Sequence, residues 1–275
     1  MKSAKGKMKT RYSNPNKKNL LAVDVGNSHT VIGIFIGDEL RFQWHVKTDR
    51  DMTMDELAGL CHGLFLMEKL DFLDISDAVI ASVVPAMESE WADFSRKHLD
   101  IAPLLISGTD LETGIKIKTD HPEDIGADRI ANGVAAYHRY GTALIVVDFG
   151  TAITFDCISG KGEYLGGAIA PGLGISLDAL EKRTAKLPSV DISRPPGNPI
   201  GANTIAAMKS GLLFGFGGLV EGLVKRIKQE FAPETPKVIA TGGMAPIIAP
   251  YAESIESIEP ELTLQGLRLL HEKNK

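Results

Sequence analysis

Apolar residues recur along this chain in two rhythms, and the switches between them mark out its elements. Leu20 to Val25, Thr30 to Ile36 and Arg41 to Lys47 are apolar or alternating runs parted by "VGNS" and "GDE", which predicts three β-strands joined by tight turns. "DMTMDELAGLCHGLFLMEKL" takes up the helical period, and Thr53 with Glu56 makes a capping-box signature at its start. "DAVIASVVP" and "APLLIS" read as short buried strands flanking a helix from about Met87 to Leu99. After a break at "HPEDIGADR", a helix is expected from Ile130 to Tyr140.

The pattern then restarts. "ALIVVDFGTAITFDCI" repeats the layout of "LLAVDVGNSHTVIGIF": an apolar strand, Asp, one apolar residue, Gly, a small polar residue, then a second strand. "GEYLGGAIAPG" supplies a third strand. An internal repeat of this size predicts two similar α/β domains, placed at 20–125 and 126–275, each presenting one Asp-x-Gly turn. The stretch 1–19 ahead of them is basic, polar and nearly free of large apolar residues, so it is expected to be a disordered tail.

Bulk composition narrows the function classes. The chain has 275 residues, 44% hydrophobic and 24% charged, enough to bury a core without staples. Its net charge of -5 gives no pull toward nucleic acid or an anionic membrane. Cys61 and Cys157 lie far apart without ligand spacing, so buried thiols in a reducing, cytoplasmic setting are expected. No window is expected to reach the roughly 18 to 20 apolar residues of a membrane span, because "GLLFGFGGLV" is interrupted at Glu221, so a soluble protein is expected. Gly211, Gly215, Gly218 and Gly222 recur there at helical spacing and are expected to admit a close neighbour.

The chemistry concentrates at the two repeated turns. Gly26 and Asn27 would serve any hairpin, but Asp24, Gly26, Asn27, Ser28 and Thr30 are also the residue types of a phosphate grip. Glycine lets backbone N–H groups approach an anion, and a carboxylate can hold a divalent cation. Asp148, Gly150, Thr151 and Thr154 repeat that logic, which favours nucleotide phosphate binding. Neither a P-loop nor a complete dinucleotide fingerprint is present. Gly242 and Gly243 after the strand "VIAT" fit either a turn or a flat surface for an adenine ring. Asp128 and Arg129, at the expected start of a helix, could complement its terminus or act on substrate, Asp as proton acceptor and Arg as carboxylate fork.

Taken as a set and in this order, Asp-x-Gly-Asn-Ser at 24–28, Gly-Ala-Asp-Arg at 126–129, Asp-Phe-Gly-Thr-Ala at 148–152, "GGAIAPG" at 166–172 and Gly-Gly at 242–243 resemble type III pantothenate kinase. The resemblance implies two ribonuclease-H-like domains of the actin-like ATPase fold with an interdomain nucleotide cleft. It implies ATP-dependent phosphorylation of pantothenate, the first step of coenzyme A synthesis, by a cytoplasmic homodimer. By the same resemblance Asp24, Val25, Gly26, Asn27, Ser28, His29, Thr30, Val31 and Thr151 would bind ATP, with Mg2+ near Asp24. Gly126, Ala127, Asp128, Arg129 and Thr204 would bind pantothenate, Asp128 being catalytic, and Asp148 would hold a monovalent cation, K+ or NH4+. One departure is Thr119, where the family often carries a tyrosine on the substrate; His29 stands inside the phosphate loop, and its imidazole has no ligand spacing to another histidine. Two other readings share the fold: a non-catalytic ATP-binding accessory protein, and a kinase for another small alcohol or acid.

Overall fold

The two strand-opening segments build two sheets that share an order of five strands. In a computed structural model describing residues 19–106, 111–184, 187–192, 194 and 196–275, the chain divides into two compact units. One runs to Leu111 and adds Gly126–Asp128 and Leu267–Lys275; the other comprises Glu112–Ile125 and Arg129–Gly266. The tail expected at 1–19 lies outside the described residues except for Asn19.

The first unit holds β1 (Asn19–Val25), β2 (His29–Ile36), β3 (Glu39–Lys47), α1 (Met54–Met67), β4 (Ile75–Ser82), α2 (Pro85–His98) and β5 (Leu104–Leu105). Its sheet has the order β3-β2-β1-β4-β5, antiparallel across β1, β2 and β3 and parallel from β1 through β4 to β5. As the central strand, β1 is covered on both faces, which is why it reads as an unbroken apolar run. Leu21, Val23 and Val25 join Ile32, Ile34, Phe65, Trp91 and Phe94 in one core cluster. The expected capping box sets the start of α1: Thr53 N–H donates to Glu56 Oε2 at 2.9 Å, and Glu56 N–H donates to Thr53 Oγ1 at 3.4 Å.

The second unit holds β6 (Lys116–Ile117), α3 (Ala127–Tyr140) from Arg129 onward, β7 (Leu144–Phe149), β8 (Ala152–Ile158), β9 (Glu163–Pro171) and α4 (Leu173–Arg183). It continues with α5 (Thr204–Glu230), β10 (Lys237–Thr241), α6 (Ala245–Ile248), β11 (Ser257–Ile258) and α7 (Leu262–Lys273) up to Gly266. The sheet order is β11-β10-β7-β8-β9-β6; from β9 to β11 it repeats the first sheet, with β6 added in parallel beside β9. The predicted repeat is therefore a repeat of topology.

Three expectations are corrected. α3 begins at Ala127, ahead of Ile130, so Asp128 falls inside its first turn. α5 is, by length and composition alone, long and apolar enough to cross a membrane: an 18-residue window within it has a mean hydropathy of 1.3, which the acid at Glu221 does not cancel. Its buried residues Leu212, Phe216, Val220 and Val224 pack into the core cluster of the unit with Ile145, Val147 and Val238. The glycine spacing also misleads. A Cβ at Gly211, Gly215 or Gly218 would meet nothing within 4 Å and one at Gly222 only the Arg226 guanidinium, whereas at Gly217 it would lie 2.1 Å from the Tyr251 carbonyl oxygen. The close neighbour is that backbone, and the large apolar side chains make the rest of the contact.

Candidate active site

Asp24 is the penultimate residue of β1, paired with Val31, and the turn from Gly26 to His29 lies between the paired Val25 and Thr30. The Gly26 N–H donates to the His29 carbonyl at 3.0 Å, and a Cβ on Gly26 would sit 2.9 Å from that same oxygen. His29 thus closes the turn through its backbone while its side chain is exposed. The turn is anchored by Thr48, just past β3. Its Oγ1 donates to the Gly26 carbonyl at 2.8 Å and lies 2.9 Å from Thr30 Oγ1, and its N–H donates to the Ser28 carbonyl at 3.0 Å. A hydroxyl has one proton. Thr48 spends it on Gly26, so Thr30 is the donor between the two threonines. Arg50 Nη2 adds a bond to Asn27 Oδ1 at 2.9 Å.

The start of α3 lies close to this turn within the same unit. Val83 N–H donates to the Val25 carbonyl at 3.0 Å, and a Cβ on Gly126 would lie 3.8 Å from Val83 Cγ1. That Cβ would also fall 2.4 Å from Asp128 Oδ1, so the carboxylate folds back over a position only glycine leaves vacant.

In the second unit, Asp148 stands at the end of β7, paired with Thr154, and its turn runs from Gly150 to Ala152. Gly150 N–H donates to the Ala152 carbonyl at 3.0 Å, so this turn is tighter than the first. Asn132, fully buried on α3, donates through Nδ2 to Asp148 Oδ2 at 2.9 Å, and its Oδ1 accepts from Thr263 Oγ1 at 2.8 Å. On the other side, Gly242 at φ +89° presses against Asp148: a Cβ there would lie 2.4 Å from Oδ1. Gly242 is thus a turn fitted to a carboxylate, while a Cβ on Gly243 would meet nothing within 4 Å. Thr151 is exposed, and Gly172 N–H donates to its carbonyl at 3.1 Å. That contact explains the last glycine of "GGAIAPG", since a Cβ on Gly172 would collide with the Thr151 carbonyl oxygen at 2.3 Å.

Arg129 follows Asp128 on α3, and both its Nε, at 2.8 Å, and its Nη2, at 2.7 Å, meet Oδ1 of Asp156 on β8. Burial pushes the Asp156 carboxyl above its ordinary range, opposed by the Arg129 guanidinium and by hydroxyls from Tyr164 and Thr154. Burial likewise raises Tyr164, with Asp156 adding to it, and pushes the Cys157 thiol to about 12. Thr204 opens α5 behind its Asn203 cap and is exposed. Thr119 Oγ1 is buried and has no hydrogen-bond partner among the described residues. Among the described residues no three His, Cys, Asp or Glu side chains are grouped so as to hold a metal ion.

The family model described as type III pantothenate kinase matches residues 20–226. The chain belongs to that family. A type III pantothenate kinase of Geobacter sp. (strain M21) is 49% identical over 256 residues, covering 93% of this chain and 100% of the relative. That of Moorella thermoacetica is 49% identical over 255 residues, 93% of this chain and 99% of its own. Among solved structures, component A of (R)-2-hydroxyglutaryl-CoA dehydratase from Acidaminococcus fermentans is similar with a TM-score of 0.55 at 13% identity, over 94% of this chain and 100% of that one. The ethanolamine utilization protein EutJ of Carboxydothermus hydrogenoformans gives 0.55 at 14% identity, over 96% and 91%. At such identities these likenesses bear on fold alone, the actin-like ATPase fold with its two similar α/β sheets.

Within this chain, the motif residues are held by partners that carry no motif of their own. Thr48, Asn132, Thr263, Asp156 and Tyr164 were not singled out by spacing. Their signal is polarity where the pattern calls for apolar residues: Asn132 and Asp156 are fully buried.

Proposed function

We propose that the chain transfers the γ-phosphoryl group of ATP to the 4'-hydroxyl of pantothenate, giving ADP and 4'-phosphopantothenate for coenzyme A synthesis. Family membership over most of the chain supports the reaction. The observation that carries the site is the repeated carboxylate: Asp24 and Asp148 are the penultimate residues of equivalent strands in two sheets that share a five-strand order, each beside a pinned glycine turn.

Phosphoryl transfer asks a protein mainly for positioning and charge stabilisation. The backbone of Asp24 to Val31, including Val25 and His29, with the side chains of Asn27, Ser28 and Thr30, would receive phosphate oxygens, and Thr151 would contact ATP from the second turn. Asp128 would accept the proton of the 4'-hydroxyl, its carboxylate aimed by the space at Gly126. Gly126, Ala127, Arg129 and Thr204 would hold pantothenate, Arg129 through the substrate carboxylate.

Magnesium and a monovalent cation, when bound, would screen phosphate charge. A single carboxylate completed by phosphate oxygens and water suits Mg2+, and Asp24 fits that part. Asp148 fits K+ or NH4+, since its carboxylate is turned by Asn132 and lies in a cradle that a Cβ on Gly242 would fill. We place the enzyme in the cytoplasm as a homodimer, as the family resemblance implies, with no nucleic-acid or membrane partner, the last point supported by the net charge of -5. A coupled ADP-release assay with pantothenate against other small alcohols and acids, run in potassium and in sodium, tests this. Turnover confined to pantothenate and dependent on potassium is expected; preference for another acceptor overturns the substrate, and equal rates in both salts remove the cation.

A further inference from the structure

β8 is an inner strand, flanked by β7 and β9, yet it carries a carboxylate with no exposed surface at Asp156. Asp156 faces Val146 on one neighbour and Gly167 on the other. β9 presses in so closely that a Cβ on Gly167 would sit 1.5 Å from the Phe155 carbonyl oxygen. A buried ion pair is a poor device for stability, because well-packed apolar side chains in its place are often neutral or better. This one is nonetheless fully equipped. Oδ1 receives Arg129 Nε at 2.8 Å, Arg129 Nη2 at 2.7 Å and the Tyr164 hydroxyl, while Oδ2 receives Thr154 Oγ1 at 3.1 Å.

The arrangement constrains Arg129 more than it constrains the sheet. Two nitrogens of one guanidinium on one oxygen fix the reach of the side chain and commit its Nε–Nη2 edge to Asp156. Tyr164 and Thr154 in turn stop the carboxylate from rotating. The Arg129 side chain is 16% exposed while its partner is fully buried, so it leads from the interior toward the surface immediately after Asp128.

We propose that Asp156, held by the Tyr164 and Thr154 hydroxyls, is a positioning residue that fixes the Arg129 guanidinium for recognition of the substrate carboxylate. The inference rests on the reading of Arg129 as the pantothenate anchor. It makes the cradle a determinant of specificity: the enzyme distinguishes hydroxy acids from neutral hydroxy compounds of the same shape to the extent that Arg129 is held still.

The test compares kcat/KM for pantothenate with that for the analogue whose carboxylate is replaced by a primary alcohol, in wild type, Arg129→Ala, Tyr164→Phe, Thr154→Val and Asp156→Asn. Tyr164→Phe keeps the ion pair and is the deciding variant should Asp156→Asn fail to fold; thermal melts identify folded protein. In Tyr164→Phe the preference for the carboxylate substrate is expected to shrink about 3-fold or more through a raised KM for pantothenate, with KM for ATP unchanged, the scale of one lost hydrogen bond. A merely structural role would lower kcat on both substrates alike and leave their ratio untouched. An unchanged ratio in Tyr164→Phe, Thr154→Val and any folded Asp156→Asn, with the ratio lost in Arg129→Ala, overturns the positioning role alone. A wild type that does not discriminate, or an Arg129→Ala that still does, overturns the anchor reading and the inference with it.

Discussion

Replacing Thr48 by valine would leave a side chain of the same shape without the hydroxyl that pins the first glycine turn. Thr48 and Thr30 are both buried, so the change creates no cavity and removes two hydrogen bonds, to the Gly26 carbonyl and from Thr30 Oγ1. At about 1 kcal/mol net per bond the loss is about 2 kcal/mol, more where a buried partner stays unsatisfied. For a chain of this size that corresponds to a melting shift of roughly 4–8 °C. The turn would keep the Thr48 N–H bond to the Ser28 carbonyl and would loosen at Gly26, the point nearest Asp24. KM for ATP is therefore expected to rise about 10-fold, the cost of misplacing a phosphate contact by a fraction of an ångström. Thr48→Ser, which retains the hydroxyl, should stay close to wild type in both measurements. Differential scanning fluorimetry and ATP-saturation kinetics suffice. If Thr48→Val melts and saturates like wild type, the turn is not held by this hydroxyl, and the assignment of Asp24 to Val31 as a preorganised phosphate site loses its support.

Other consequences follow from the same geometry. Asp128→Asn is expected to lower kcat by roughly 10² or more while ATP still binds, the range for losing a general base; near-normal turnover would remove Asp128 from that role. Gly242→Ala places a Cβ 2.4 Å from Asp148 Oδ1 at a backbone φ of +89°, so it should reduce activity and blunt its dependence on potassium. Unaltered potassium dependence in that variant would detach Gly242 from the cation site. Cys61 and Cys157 are buried, with their thiols raised to about 12, so a thiol reagent at pH 8 should titrate neither in the native protein and both after unfolding. Rapid labelling of folded protein would contradict the burial of both residues.

The fold was legible wherever one local signal decided an element. The apolar run of β1, the Thr53–Glu56 capping box and the turn glycines each act over a few residues, and each matches what formed. The repeat was legible for the same reason, since Asp24 and Asp148 stand in like positions on strands built by like patterns. Signals that depend on a neighbour were not. Glycines at helical spacing in α5 look like a packing stripe, but only Gly217, off that spacing, meets another backbone. Glu221 looks like a break in an apolar run, but it is half-buried and accepts from the Ser254 N–H at 2.7 Å while Leu212, Phe216 and Val220 face the core. The partners of the motif residues were hidden for a related reason. Thr48 reaches Gly26 because β3 folds back along β2, and Thr263 reaches Asn132 across most of the second unit's sequence. No spacing rule encodes such pairs; a buried polar residue in an apolar pattern is the only trace they leave.

The central claim is a single bond formed: phosphorus to the 4'-oxygen of pantothenate. Incubation with pantothenate, ATP, Mg2+ and potassium, followed by mass spectrometry of the acceptor and quantitation of ADP, tests it most directly. One phosphoryl group on pantothenate for each ADP released is the expected result; ADP release that does not depend on pantothenate, or an unmodified acceptor, would contradict it.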